Sequence, residues 1–426
     1  MNANLKSKNR RIATILSFAL IPLTGLATDV YLPSLPSMAA DLHVSSGVIQ
    51  STLLVFLVSA GLSQLFVGSL LDSYGRFRIS MAALLLFSLA SFVIANTHSI
   101  GVLFAMRAVH GMTVAVIVVA KRAYFLDTFE GEKLKNYTSL FSIVWATAPI
   151  VAPFVGGYLQ SAFGWHGSFY FLGFYTLAVM ALDLVFGGES LKIFSPFKPA
   201  VILNTYGGML KTKDYGMALV IMGLSYALLL IYGMTSPFMI EHIYHYSPII
   251  TGYSSLLSGV ALMTGGIISK SIIHKPLDRK IPVAMGVQAV FAVGMIAVSS
   301  LWVSNLYTLL VFVMLLNVGA GFIFNNMFSY ALGRFHGHGG IVSGLTGGSL
   351  FVITSFFSYG SVNVFAIKTQ TALAVAYLVF VLLGVIAFML FQRYRYRGTA
   401  KLAGHEHNTA AATTAAPAVA EAMYTH

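Results

Sequence analysis

Residues 28–36 read Thr-Asp-Val-Tyr-Leu-Pro-Ser-Leu-Pro and close an apolar run that begins at Ile12. Asp29 is the only residue between Ile12 and Leu32 that carries a charge at neutral pH. The two prolines that follow predict the end of a helix, because proline lacks an amide hydrogen and clashes with the preceding turn. A charge inside a membrane helix costs at least a few kcal/mol, so Asp29 is predicted to be functional. The alternative is an aspartate at the lipid headgroups that caps the next turn.

The composition is that of a membrane protein. Of the 426 residues, 57% are hydrophobic and 9% are charged, whereas soluble domains carry about 25% charged residues. Cysteine is absent, which excludes disulfides and thiolate metal sites. The net charge is +12, but the basic residues stand at the ends of apolar runs, a pattern that sets membrane topology. No nucleic-acid partner is therefore expected. The sequence contains no catalytic motif, so neither an enzyme nor a metal site is expected.

Twelve apolar runs are long enough to form membrane helices, each of which needs about 20 residues. The predicted spans are 12–33, 47–71, 78–96, 100–121, 137–161, 166–187, 215–239, 250–272, 281–301, 306–330, 341–364 and 369–392. The predicted fold class is an all-α polytopic membrane protein with two six-helix halves. Sustained alternating segments, which are typical of outer-membrane barrels, are not found.

Lysine and arginine predict the orientation and the domain boundaries. Of the 25 basic residues, 23 lie in the amino-terminal segment, in the loops after even-numbered spans, or in the tail. The positive-inside rule then places both termini in the cytoplasm. The predicted parts are a cytoplasmic segment 1–11, an N-terminal half 12–187, a cytoplasmic linker 188–214, a C-terminal half 215–392 and a disordered cytoplasmic tail 393–426.

A glycine-containing loop follows the second span and reads Gly-Ser-Leu-Leu-Asp-Ser-Tyr-Gly-Arg-Phe-Arg over 68–78. Glycine permits close approach of helix ends, and the arginine can pair with a carboxylate. The predicted gating residues are Gly68, Asp72, Gly75 and Arg76. The alternative is an ordinary turn whose arginines only set the topology.

Arg107 and His110 lie inside the fourth span. Arginine stays protonated, so it needs an anion, a carbonyl group or water there. Arg107 stands roughly 10 Å below the outer end of its helix, and Asp29 stands roughly 6 Å below the end of the first. We expect the two charges to pair or to share one polar cavity. The alternative is that each extends separately toward the interface.

Three further spans carry residues of interest. The fifth contains Pro149, Pro153, Gly156 and Gly157, which predict a kinked and closely packed helix. Amides and aromatic rings of the tenth and eleventh spans could line a cavity, although packing is the alternative for each of them. The predicted cavity residues besides Arg107 and His110 are Tyr31, Asn325, Asn326, Phe357 and Tyr359.

Two other acidic residues remain open candidates. Asp183 is predicted to lie at the interface near the end of the sixth span. Glu241, His242 and His245 cluster in a loop on the opposite side. A carboxylate with two histidines could bind a metal, but a metal site is not the favoured interpretation. Whether Asp183 or Glu241 takes part in the function is left undecided.

Together these motifs resemble the major facilitator superfamily and, within it, the Bcr/CflA group of drug:proton antiporters. Residues 29–36 resemble the first-helix signature of that group, and 68–78 resemble the loop motif of the superfamily. Residues 107–111 are similar to the fourth-helix arginine motif, and 148–157 are similar to the antiporter motif of the fifth helix. The resemblance covers about residues 12–392. It departs at His110, where glutamine is commoner, at Ile21, where some relatives carry a second acid, and in the tenth helix, which lacks the usual proline.

The resemblance implies proton-coupled export of small lipophilic or cationic compounds across a bacterial inner membrane. It implies that Asp29 is the proton-coupling carboxyl and that no cofactor is needed. The implied partners are a small-molecule substrate, protons and the lipid bilayer, and the chain is expected to be a monomer. The alternatives are a dedicated exporter of one metabolite, such as a siderophore, and a membrane receptor that transports nothing.

Overall fold

The computed structural model describes the backbone of residues 9–422, apart from 198 and 336–338. Helices and short connections make up these residues, which confirms the predicted all-α fold class. Eleven described helical segments are long and apolar enough to cross a membrane. The side with the basic loops is called the basic side below, and the other is called the opposite side.

The first span is broken into short pieces. Its parts are α1 (Arg10–Leu20), α2 (Leu23–Asp29), a 3₁₀ turn (Leu32–Ser34) and α3 (Leu35–Asp41). The breaks fall at Pro22 and Pro33, where the proline rings interrupt the helical hydrogen bonds. The chain continues in the same direction after each break, so the span reaches Asp41 rather than the predicted end at residue 33. Helix α2 ends at Asp29, so the carboxyl lies at an internal break of the span.

The other spans follow the predicted order. They are α4 (Ser46–Tyr74), α5 (Arg76–Ala95), α6 (Ile100–Thr128), α7 (Gly131–Phe163), α8 (Trp165–Phe186), α10 (Lys213–Phe238), α11 (Pro248–Ser271), α12 (Leu277–Leu301), α13 (Leu306–Gly333), α14 (Gly339–Val364) and α15 (Gln370–Ala422). A π-helical turn, Met239–Ile243, extends α10. Helix α7 corresponds to the predicted fifth span and stands in addition to these eleven apolar segments.

Helices α1–α8 form one half and α10–α15 form the other. The connection between them contains α9 (Pro199–Leu210), a helix that the sequence analysis did not predict. Its Tyr206 hydroxyl donates to the Leu65 carbonyl oxygen at 2.9 Å, which ties the connection to α4. The boundaries proposed from the sequence at 188 and 214 remain predictions.

The halves meet along two helix pairs, α4 with α14 and α7 with α11. Small residues bring the backbones together: a Cβ on Gly61 would lie 2.7 Å from the Gly348 carbonyl oxygen, and one on Gly157 would lie 2.7 Å from that of Pro248. Nearer the opposite side, the Gln50 amide donates to the Met234 carbonyl oxygen at 2.7 Å. The halves are therefore in close contact at the level where α2 ends.

The last helix differs from the sequence prediction. Its membrane-spanning part is Gln370–Tyr396, but the helix continues to Ala422. The composition predicts a disordered tail over 393–426. Alanine is abundant in this segment and has the highest intrinsic helix propensity of all residues, which explains why the described part of the tail is helical.

Candidate functional site

Asp29 lies at the end of α2 and is 5% exposed. None of the ion pairs between described residues includes it. It interacts electrostatically with Tyr226 of α10, which belongs to the other half. The break after α2 thus holds a buried carboxyl at the boundary between the halves.

A small cavity lies beside this carboxyl and is formed by both halves. The N-terminal half contributes α2, α4 and α7, and the C-terminal half contributes α10 and α14. The lining residues are Thr24, Gly25, Thr28, Leu57, Pro149, Tyr226, Leu230 and Phe351. The surface is mostly apolar, with two threonine hydroxyls and one phenol, and Tyr226 connects it to Asp29.

Arg107 on α6 is fully buried in the N-terminal half. Its Nη1 donates to the Ala27 carbonyl oxygen at 3.1 Å. Its guanidinium carbon lies 4.5 Å from the ring centre of Tyr31 and 4.3 Å from that of Phe56. Among the described residues, its Nε and Nη2 have no hydrogen-bond partner. Cation–π contacts and one carbonyl group therefore hold this charge.

The expected pairing of Arg107 with Asp29 is not present in the structure. Ala27 and Tyr31 are four residues apart, so they face α6 together. Asp29 lies midway between them and therefore projects from another side, toward α10. Arg107 does not extend to the interface either, because it is enclosed by aromatic rings.

His110 lies deeper in the N-terminal half. Its ring stacks on Phe87 with centres 4.2 Å apart, and its Nε2 lies 2.9 Å from the Ser91 oxygen. The Ser91 hydroxyl donates to the Phe87 carbonyl oxygen, so it accepts from Nε2. Nδ1, which lies 3.5 Å from Arg107 Nη1, is then the unprotonated nitrogen. His110 is thus a neutral link between Arg107 and α5, and it does not line the cavity.

The predicted cavity residues of the C-terminal half lie elsewhere. Asn325 donates to the Gly266 carbonyl oxygen at 3.2 Å, and Asn326 donates within its own helix. Phe357 is 36% exposed and packs edge-on against Phe380. Neither Phe357 nor Tyr359 lines the cavity. Phe351 lines the cavity instead. It lies six residues before Phe357 on α14, and this separation places the two side chains on different faces of the helix.

The loop motif between α4 and α5 forms an ion-pair network. Arg76 pairs with Asp72 at 3.0 Å and also with Asp127 at the end of α6. Gly75 has a φ of +94°, a conformation that L side chains rarely adopt, and it joins the two helices. A Cβ on Gly68 would meet no atom within 4 Å.

The linker completes this network. The Glu189 carboxylate accepts from the backbone amides of Arg76 at 3.1 Å and Phe77 at 3.0 Å, where α5 begins. Asp127 and Glu189 were not identified from the sequence. Asp127 lies at the end of α6 and Glu189 lies at the start of the linker, so each is next to a basic loop. An acidic residue in such a position is the signal that could have indicated them. The network lies within the N-terminal half and the linker, so a contact across the halves remains a prediction.

The predicted antiporter helix is α7, and its small residues form contacts between helices. A Cβ on Gly156 would overlap the Val30 carbonyl oxygen, which follows Asp29 in the chain. Pro149 and Pro153 lie inside the helix, and their carbonyl oxygens face Gly259 and Gly252 of α11. Helix α7 therefore packs against both the broken first span and the other half.

Asp183 lies three residues before the end of α8, where it is buried and forms an ion pair with Lys121 of α6. Its location at the membrane interface remains a prediction. Glu241 lies in the π-helical turn at the end of α10. In the part of the chain that the structure describes, no cluster of three or more histidine, cysteine, aspartate or glutamate side chains could hold a metal ion.

Comparison with known proteins identifies the family. The model of the Major Facilitator Superfamily matches residues 18–359. The chain belongs to the major facilitator superfamily. It is 29% identical over 398 residues to the uncharacterized MFS-type transporter YdgK of Bacillus subtilis, which covers 90% of this chain and 96% of that protein.

Two relatives within the superfamily have more informative names. The chain is 32% identical over 166 residues to multidrug resistance protein D of Escherichia coli, and 35% identical over 171 residues to the bicyclomycin resistance protein homolog of Haemophilus influenzae. Each match spans 42% of the relative and 39% or 40% of this chain. The predicted resemblance to the Bcr/CflA group is confirmed by these relatives.

Solved structures support the superfamily fold. A bacterial homolog of the human lysosomal transporter Spinster, in an inward-facing and occupied conformation, superimposes with a TM-score of 0.68 at 13% identity, covering 92% of this chain and 98% of that one. A D-xylose-proton symporter superimposes with a TM-score of 0.62 at 14% identity, covering 87% and 96%. At these identities the likeness establishes the fold alone.

Proposed function

We propose that this protein exports small lipophilic or cationic compounds across a bacterial inner membrane in exchange for protons. In this proposal Asp29 is the coupling carboxyl, and the basic side, with both termini, faces the cytoplasm. The names of two relatives, a multidrug resistance protein and a bicyclomycin resistance homolog, support drug efflux. Membership of a transporter superfamily supports transport rather than catalysis.

The observation that carries the proposal is the position of Asp29. It is a buried carboxyl without an ion-pair partner among the described residues, and it lies at the boundary of the halves beside a cavity that both halves line. A structural carboxylate, such as Asp183 with Lys121, has a permanent counter-charge. The missing counter-charge leaves Asp29 available to a transported cation or to a proton.

Exchange follows from competition at this single carboxyl. A bound cation favours the carboxylate, whereas a bound proton removes its charge. A proton that arrives from the outer side would release the solute there, and deprotonation toward the cytoplasm would restore the site. Coupling requires that the solute binds the two protonation states with different affinity, since a ligand indifferent to them shifts nothing.

Inside-out membrane vesicles test the proposal. With an imposed proton gradient, uptake of a fluorescent cationic dye such as ethidium should occur in vesicles with the parent protein. Asp29→Asn should abolish uphill uptake, because the neutral amide cannot exchange a proton. Glu132→Gln, which changes an exposed carboxyl at the start of α7, is the matched control and should accumulate dye like the parent. Uphill uptake by Asp29→Asn at the parental rate would overturn the role of Asp29.

A further inference from the structure

A second buried polar cluster lies in the C-terminal half, between α10 and α11. The cluster residues are Tyr232, Ser236, Glu241, Thr251 and Ser255. The four hydroxyl-bearing side chains are more than nine-tenths buried. Each of their oxygens, together with Oε1 of Glu241, is buried without a hydrogen-bond partner in the described structure.

The cluster residues lie on α10, on the π-helical turn that extends it, and on α11, which contacts both. Tyr232 and Ser236 are one helical turn apart on α10, and Thr251 and Ser255 are one turn apart on α11. The Thr251 hydroxyl lies beside the Glu241 carboxylate, although the geometry is not that of a normal hydrogen bond. The Tyr232 hydroxyl lies near Ser236 of its own helix and Ser254 of α11. The oxygens therefore share one polar region between the two helices.

The backbone around Glu241 is also unusual. Met239–Ile243 is a π-helical turn, in which the Met239 carbonyl oxygen accepts from the amide of Tyr244. π-Helical turns inside α-helices occur frequently at functional sites. The extra residue of this turn brings the carboxyl of Glu241 to the start of α11, beside Thr251.

The chemistry of the cluster suits a small cation. A buried polar atom left unpaired costs about 1–3 kcal/mol, so five such oxygens in one region indicate a missing partner. None of the ion pairs between described residues includes Glu241. The titratable groups that interact with the cluster residue Tyr232 are the phenols of Tyr244 and of Tyr377 on α15. The neighbouring His242 instead packs edge-on against Phe238. A single carboxylate with hydroxyl oxygens balances one positive charge, and hard cations prefer oxygen ligands.

We propose that the cluster around Glu241 binds a monovalent cation, either Na⁺ or a proton. The site is separate from Asp29, which lies in the first span of the other half, and it does not rest on the proposed export function. Glu241 supplies the negative charge, and the hydroxyls of α10 and α11 supply neutral oxygen ligands.

Thermal unfolding of the purified full chain in detergent tests this site. At constant ionic strength, replacing choline chloride with NaCl, or changing the pH between 6 and 9, should shift the unfolding temperature by about 2–4 °C if the cation binds the folded state. Glu241→Gln should abolish the shift with NaCl and reduce the shift with pH, to which Asp29 and other titrating groups also contribute. Thr251→Val should reduce both shifts. Glu132→Gln, the exposed control, should retain it.

The outcomes separate the two cations. A shift with NaCl at fixed pH that is lost in Glu241→Gln identifies Na⁺. No response to NaCl, together with a pH-induced shift that is smaller in Glu241→Gln than in the parent, identifies a proton. A parent protein that responds to neither overturns the proposal, and so does a Glu241→Gln protein that responds like the parent. If Glu241→Gln does not fold, Thr251→Val and Ser255→Ala provide the test, because an unchanged response in both variants also overturns it.

Discussion

At the scale of single residues, the structure separates two charges that the sequence suggested as a pair. Arg107 is held by the Ala27 carbonyl and by the rings of Tyr31 and Phe56, whereas Asp29 projects toward α10. The arginine therefore shapes the backbone on which Asp29 stands, through Ala27, without neutralising it. Arg107 therefore positions the first span, whereas Asp29 takes part in none of the ion pairs between described residues.

This arrangement predicts how Arg107→Lys will behave. Lysine keeps the charge but loses the planar group that stacks between two rings, and a desolvated cation–π contact contributes about 2 kcal/mol. We expect transport to fall roughly tenfold while the pH optimum stays within a few tenths of a unit of the parent. Dye uptake by inside-out vesicles from pH 6 to 8.5 measures both the rate and the pH optimum. A pH optimum displaced by a full unit would show that Arg107 acts directly on Asp29.

The hydrogen-bond direction at His110 gives a second prediction at this scale. A glutamine can also accept from Arg107 and donate to Ser91, so His110→Gln should retain most of the activity. His110→Leu removes both contacts and leaves buried polar partners unsatisfied, at a cost of about 1–3 kcal/mol each. The measurement is the ratio of dye uptake into inside-out vesicles between the two variants, at matched expression. Equal loss in both variants would contradict a purely positional role.

At the scale of elements, α7 acts as the contact between the broken first span and the other half. Gly156 lies against the Val30 carbonyl, one residue beyond Asp29, and Pro149 lines the cavity. Movement of α7 must therefore displace the backbone next to the carboxyl. The prolines suit this role because they remove helical hydrogen bonds and allow the helix to bend.

Close packing at Gly156 is testable by adding one methyl group. In Gly156→Ala the new Cβ would overlap backbone that cannot move aside independently, and overpacking of this kind costs about 1–3 kcal/mol. We expect the unfolding temperature to fall by several degrees and transport to decline. Gly286→Ala on α12 is the control, since its Cβ would meet no atom within 4 Å and alanine favours the helix. Equal stability of the two variants would refute the contact.

The linker is the second element with a structural role, because it supplies a cap for α5. Glu189 caps the amino-terminal end of α5 through two amide hydrogen bonds, and loss of a helix cap typically costs about 1 kcal/mol. Glu189→Gln should lower the unfolding temperature by about 2 °C. Glu130→Gln, at the start of α7, lacks such amide contacts and should leave it unchanged. An unaltered unfolding temperature in Glu189→Gln would show that the cap is not needed.

At the scale of the whole molecule, the two halves touch along α4 with α14 and α7 with α11, with the site between them. A carrier of this architecture must open alternately to each side. The ion-pair network of Arg76 lies on the basic side and includes Asp72, Asp127 and, through the α5 amides, the linker residue Glu189. It joins the N-terminal half to the chain that leads into the other half.

Loosening this network should change the population of conformations. We expect Asp72→Asn to increase the fraction that is open on the basic side, because Arg76 then loses one of its two carboxylates. The chain has no native cysteine, so spin labels at Thr128→Cys and Gly333→Cys would report the distance between the halves by pulsed electron paramagnetic resonance. A distance distribution identical to that of the labelled parent would exclude a gating role for Asp72.

The sequence by itself determined the order of the membrane helices, the interruption of the first helix by prolines near Asp29, and the family. Hydropathy, proline positions and the distribution of lysine and arginine are properties of consecutive residues, so they can be read without neighbours. The same reasoning identified Asp29, because a single charged residue within an apolar run is apparent from the sequence alone. It also located the loop motif around Arg76, whose partner Asp72 is only four residues away.

The tertiary structure alone decided which side chains meet. Lys121 and Asp183 are 62 residues apart, Arg76 and Asp127 are 51 apart, and Glu189 is 113 residues from the Arg76 amide that it accepts from. Helical periodicity places residues on a common face, but the rotation of each helix and its choice of neighbour depend on packing with the others. For that reason Asp29 faces Tyr226 rather than Arg107.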